Sequence, residues 1–114
     1  MRRTERLPVE LAVTWNRSGR AISCTAVDLN AHGLFVRTDE IVERGSLLHL
    51  RIKLPDRAVE MFVTARFVGD TTHGHGIGAE IFLIDDVSNC HWLGFYDRLC
   101  IELSRGRKLC AMGA

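Results

Sequence analysis

VELAVTWN, residues 9–16, sets Val9, Leu11, Val13 and Trp15 at every second position, with polar or small residues between them. Side chains alternate across a strand, so this period of two buries one face and leaves the other to solvent. NRSGR, residues 16–20, carries turn chemistry, and its Gly19 adopts a positive φ without steric cost. A second alternating run, AISCTAVDL at 21–29, puts Ile22, Cys24 and Ala26 on one side, with Asp28 next in that row. A strand, a tight turn and another strand therefore open the chain.

The same grammar continues downstream. NAHG at 30–33 is a turn, LFVRT at 34–38 a short third strand, and DEIVERGS at 39–46 a longer connection. LLHLRIKL at 47–54 aligns Leu48, Leu50, Ile52 and Leu54 on one face, which leaves His49 toward solvent. Pro55 ends that strand, since proline cannot donate to a ladder. VEMFVTARFVG at 59–69 and IGAEIFLI at 77–84 are the fifth and sixth strands, joined by DTTHGHG. Strands separated by glycine or proline turns, with no helix between them, predict a mainly β, six-stranded antiparallel barrel over residues 9–84.

The last third has a different period. Trp92, Tyr96, Leu99 and Leu103 recur at spacings of four, three and four, which lines one face of an amphipathic helix over 85–105. Asp85, Asp86 or Ser88 caps its start, Gly106 sits just past its end, and Arg105 and Lys108 complement the negative end of its dipole. Gly94 is its weak point, at a cost of about 1 kcal/mol relative to alanine.

Composition restricts the function. The 114 residues suit one domain, and 46% apolar with 25% charged residues is the ordinary globular range. A formal net charge of +1 argues against a general binder of DNA, RNA or membrane surfaces, so any anion site must be local. No apolar run approaches the roughly 20 residues of a membrane span, and no apolar stretch follows the first arginines as in a signal peptide, so the expected compartment is the cytoplasm. Cys24, Cys90, Cys100 and Cys110 form no C-x-x-C pair and read as small packing residues. His73 and His75 lack a completing ligand set beyond Asp70 and read as exposed turn residues, so no metal is expected. No nucleophile–base arrangement can be assembled, which predicts a protein without catalytic residues.

One concentration of charge stands apart: MRRTER, residues 1–6, places Arg2, Arg3 and Arg6 ahead of the first strand. Taken with DLNAHG at 28–33 and GIGAEIF at 76–82, the order is an arginine pair, two strands, an acidic turn with glycine, a late G-x-G strand and a helix. This resembles the PilZ domain, the bacterial receptor domain for cyclic di-GMP. Arg2 and Arg6 fill that family's R-x-x-x-R pattern, with Arg3 the extra basic residue between them. Asp28 and Gly33 fill the ends of its D/N-x-S-x-x-G pattern, with Asn30 in place of serine.

The resemblance covers essentially the whole chain and implies one PilZ-like domain over 1–114. Residues 1–8 form an arginine-bearing switch segment, and Arg2, Arg3, Arg6, Asp28, Asn30 and Gly33 bind the nucleotide. The chemistry fits: guanine O6 and N7, like phosphate, suit a bidentate guanidinium, and a carboxylate accepts from guanine N–H groups. It further implies a receptor with no cofactor beyond cyclic di-GMP, signalling to an unknown protein effector in motility, adhesion or exopolysaccharide output. Monomer and homodimer are both compatible with it. The alternative is a degenerate interaction module that keeps the barrel without the nucleotide, with the Trp92, Phe95, Tyr96 and Leu99 stripe as its contact surface.

Overall fold

The computed structural model describes residues 5–113, with side chains through residue 104. β1 (Leu7–Arg17) and β2 (Arg20–Asn30) form a hairpin whose two-residue turn holds Ser18 at φ 50° and Gly19 at φ 82°. Two positive φ values in succession match the right-handed twist of the flanking strands. β3 (Gly33–Arg37), β4 (Leu47–Lys53), β5 (Ala58–Thr71) and β6 (Gly74–Leu83) follow, and α1 (Asp86–Gly113) completes the chain. The strand order is β1-β2-β3-β6-β5-β4, every pair antiparallel, and β4 returns to β1 through Val13↔Ile52 and Trp15↔Leu50. The sheet is therefore a closed barrel, as the six alternating runs predict. β1 begins two residues before the expected Val9, because Leu7 is buried opposite Leu29.

The barrel interior is filled by the inward rows: Val13 and Trp15, Leu48, Leu50 and Ile52, and Met61 and Val63 among them. Trp92, Phe95 and Tyr96 of α1 join this same core, and Leu99 and Leu103 pack partly against it. The aromatic stripe is thus occupied by the barrel rather than offered to a partner, correcting the surface role considered for it. Burying rings of 150–250 Å² contributes roughly 4–6 kcal/mol apiece at ~25 cal/mol per Å². That outweighs the cost of Gly94, and α1 passes through it and on through Gly106 to Gly113, beyond the end expected at 105. Glycine lowers helix propensity but, unlike proline, removes no hydrogen bond. The Arg105, Lys108 and Cys110 side chains lie outside those described.

Asp85 is the cap of α1, one of three residues that the sequence offered. Its Oδ1 accepts from the Ser88 N–H at 2.8 Å, and its Oδ2 accepts from Ser88 Oγ at 3.0 Å. Cys24 is buried, and burial pushes its thiol pKa up, as suits a packing residue; Cys100 is partly buried. Cys90 is exposed, contrary to the packing role expected of it, because it lies on the helix face turned from the barrel.

Of four irregularities in the ladder, two shape the surface that matters below. Between β2 and β3, Ala26 pairs with Val36 and Asp28 with Phe35, so Val27 is an extra residue. This bulge shifts the alternation by one: Ala26 and Leu29 are both fully buried, and Asp28 leaves the inward row that simple alternation assigned to it. Between β5 and β6, Ala65 pairs with Ala79 and Phe67 with Gly78, which makes Arg66 the extra residue there.

Gly94→Ala should stabilise the fold by about 1 kcal/mol in denaturant unfolding, because a Cβ at that position meets nothing within 4 Å. The Ser88 backbone N–H, then its hydroxyl, hold the Asp85 carboxyl below its ordinary range. A depressed folded pKa contributes stability above the unfolded value that is lost as pH falls through the folded one. Asp85→Asn should therefore unfold more easily at neutral pH, and acid denaturation curves should show the difference from the parent shrinking below about pH 4.

Candidate functional site

Once the Val27 bulge has turned Asp28 outward, it stands opposite Pro8, beside the segment that leads into β1. Arg6 Nη1 donates to Asp28 Oδ1 at 2.7 Å, which closes a separation of 22 residues. The arginine side chain is 48% exposed and the carboxylate 17%. An ion pair this open to water contributes about 1 kcal/mol or less, so it locates the two groups without locking them. Tyr96 of α1, buried in the core, donates its hydroxyl to the Glu5 carbonyl at 2.8 Å. Trp92 Nε1 donates to the Asn30 carbonyl at 3.2 Å. One helix thus grips both the incoming segment and the β2–β3 turn.

That turn has its own internal logic. Asn30 Oδ1 accepts from the His32 N–H at 2.8 Å, the side-chain-to-backbone bond by which asparagine builds a turn. The His32 carbonyl in turn accepts from the Ile81 N–H at 2.8 Å, which fixes the turn to β6. Gly33 has a structural need of its own: a Cβ there would collide with the carbonyl oxygen of Ala79. Close approach of β3 to β6 requires a glycine at this position, whatever binds outside. The late G-x-G has a related cause. A Cβ on Gly76 would meet Phe35 ring atoms at 2.7 and 2.8 Å, and one on Gly78 would meet Phe67 Cβ at 3.3 Å. Phe35 is buried yet stands outside the core cluster, so its ring covers the outer face of the sheet.

These elements enclose an open cleft of about 230 Å³, lined by Arg6, Asn30, His32, Gly33, Arg66, Phe67, Gly78, Ala79 and Glu80. Of the residues expected at a site, Arg6, Asp28, Asn30 and Gly33 come together here; Arg2 and Arg3 lie outside the described residues. Arg66, Phe67 and Glu80 were not anticipated. Arg66 Nη2 reaches Glu80 Oε1 at 3.0 Å across the bulge. The sequence carries no mark of this bulge, since Met61, Val63, Ala65 and Phe67 continue the apolar alternation through it, and only the structure puts Val68 against the core. Guanidinium forks, an exposed aromatic ring and carboxylate acceptors suit a planar, hydrogen-bonding anion.

Two of the other histidines have structural partners. His75 Nδ1 donates to the Thr38 carbonyl at 2.8 Å. His49, expected in solvent, is half-buried, stacked on Phe62 at 4.8 Å between centroids and 3.3 Å from Glu60. Among the described residues, no three His, Cys, Asp or Glu side chains are grouped to hold a metal, and no helix is long and apolar enough to cross a membrane.

The sequence profile of the PilZ domain matches residues 1–93. The fold is similar to the Bacillus subtilis inhibitor of motility (MotI/DgrA), with TM-score 0.75 and 20% identity over 85% of this chain and 49% of that one. It is also similar to the PilZ domain of CeSA from a cellulose-synthesizing bacterium, with TM-score 0.58 and 17% identity over 89% and 99% of the two chains. At such identities the likeness is one of fold, and this chain spans only about half the length of MotI/DgrA. No curated protein matches the sequence.

Tyr96→Phe removes the donor that holds the Glu5 carbonyl. Trypsin should then cleave after Arg6 several-fold faster, while global stability falls by only about 1 kcal/mol. Unchanged cleavage would show that the leading segment is held by other contacts.

Proposed function

The chain belongs to the PilZ domain family, and from that premise we propose that it is a cyclic di-GMP receptor that passes ligand occupancy on to a protein partner. PilZ domains are a cyclic di-GMP receptor family, whose members are receptors and effectors rather than enzymes. The observation that carries the reading is the Arg6–Asp28 pair, which joins the two motifs on one surface beside an open cleft. In the free protein these groups satisfy each other. On binding, Asp28 exchanges the Arg6 fork for guanine N–H donors, and Arg6 turns to the guanine O6/N7 edge or to a phosphate. Arg2 and Arg3 add further forks, Asn30 presents its amide at the turn, and Gly33 keeps the cleft floor free of a side chain.

Hydrogen bonds to charged groups contribute about 1.5–3 kcal/mol each, and micromolar affinity requires about 8 kcal/mol net. Two or three forks and one carboxylate reach that range after the entropic cost of association. The route outward is short. Glu5 hangs on Tyr96 and Asn30 on Trp92, so movement of the leading segment or of the β2–β3 turn pulls on α1. A partner in motility, adhesion or exopolysaccharide production then meets a changed surface on the leading segment and helix. The protein acts in the cytoplasm, where the nucleotide is made.

Calorimetry with cyclic di-GMP on the purified protein tests this reading. Saturable binding at micromolar concentrations is expected, weakened at least about tenfold by Arg6→Ala or Asp28→Ala, the loss of one charged hydrogen bond. Silence at hundreds of micromolar ligand rejects the receptor and leaves a barrel that acts through protein contacts alone.

A further inference from the structure

We propose that Arg66 is an additional phosphate-binding fork of this cleft, and that Glu80 is the carboxylate that occupies it until the dinucleotide arrives. This rests on the receptor reading above and extends it to residues outside the motifs that suggested it.

Charge balance is the first argument. Among the described residues, Arg6, Arg66 and Glu80 line the opening and Asp28 stands beside it, paired as Arg6 with Asp28 and Arg66 with Glu80. A ligand with two anionic phosphates gains little from a guanidinium whose charge a carboxylate already matches. Asp28 has a use once the ligand is present, because guanine offers it N–H donors. Glu80 has none with a phosphate: an ionised carboxylate only accepts, and so does a phosphodiester. Its negative charge must leave the Arg66 fork for that fork to serve the ligand.

Geometry is the second argument. Arg66 is the extra residue of the β5 bulge, and bulges re-aim side chains at the rims of barrels. The Arg66 side chain is 64% exposed and that of Glu80 56%, so water screens their 3.0 Å contact and the pair exchanges easily. Glu80 stands opposite Gly33, which has no side chain to block its swing. A phosphate offers Arg66 the same bidentate pair of oxygens that the carboxylate does.

Titration of cyclic di-GMP into the folded variants at low and high salt tests the assignment, with thermal melts to verify that each is folded. Arg66→Ala should weaken binding about tenfold, the loss of one charge-assisted hydrogen bond, and flatten the salt dependence. Arg66→Lys should recover only part of that affinity, because an ammonium lacks the fork. Glu80→Gln should move the opposite way and tighten binding about three- to tenfold, since it removes the competing charge.

Were the pair only a stitch between β5 and β6, both substitutions would lower the melting temperature and neither would move affinity. Binding lost in Arg6→Ala but unaltered in the Arg66 and Glu80 variants overturns this inference alone. Weaker binding in Glu80→Gln overturns the role assigned to Glu80. Absence of binding by the parent protein removes the receptor reading and this inference together.

Discussion

The extra residue at Val27 decides on which side of the barrel wall a carboxylate stands. Strict alternation would carry Asp28 inward after Ile22, Cys24 and Ala26, and an ionised carboxylate in that core would cost several kcal/mol in lost hydration. With Val27 bulged, Leu29 takes the next core position and Asp28 meets Arg6 at the surface. The apolar interior and the polar cleft are then served by the same eleven-residue strand without competing for its side chains. The β5 bulge repeats the device: with Arg66 as the extra residue, Phe67 leaves the inward row of Met61, Val63 and Ala65 and stands exposed at the cleft.

The barrel was readable in the sequence because it depends on solvent exclusion, which leaves a period of two in the apolar residues. The runs around Val13, Leu50 and Met61 each declared a strand, and Trp92 with Tyr96 declared the helix. What alternation does not encode is its own interruption. Asp28 was recognised through its motif while its facing was misassigned, and Arg66 carried no motif at all. Both follow from local register, which depends on which carbonyl meets which N–H across two strands and not on hydropathy. Gly33 was legible as a glycine but not for its own reason: the Ala79 carbonyl that excludes a Cβ lies 46 residues downstream.

α1 does more than close one end of the core. Its rings contribute burial, and the polar atoms on two of them, Tyr96 Oη and Trp92 Nε1, are directed at backbone carbonyls of the leading segment and of the β2–β3 turn. A buried aromatic with a satisfied polar tip is stiff, because moving the ring breaks a hydrogen bond and opens packed surface together. The fully buried Trp92 makes the first turns of α1 its firm end.

The closure of the barrel limits how another protein can engage it. Each of the six strands has a neighbour on both sides, so no strand is a free edge along its whole length. Strand addition, which open sheets permit, has only partial edges to start from here, such as the part of β1 ahead of Val13 on its β4 side. A protein docking on the wall of this barrel therefore meets side chains far more than backbone, and contacts of that kind form and dissolve readily.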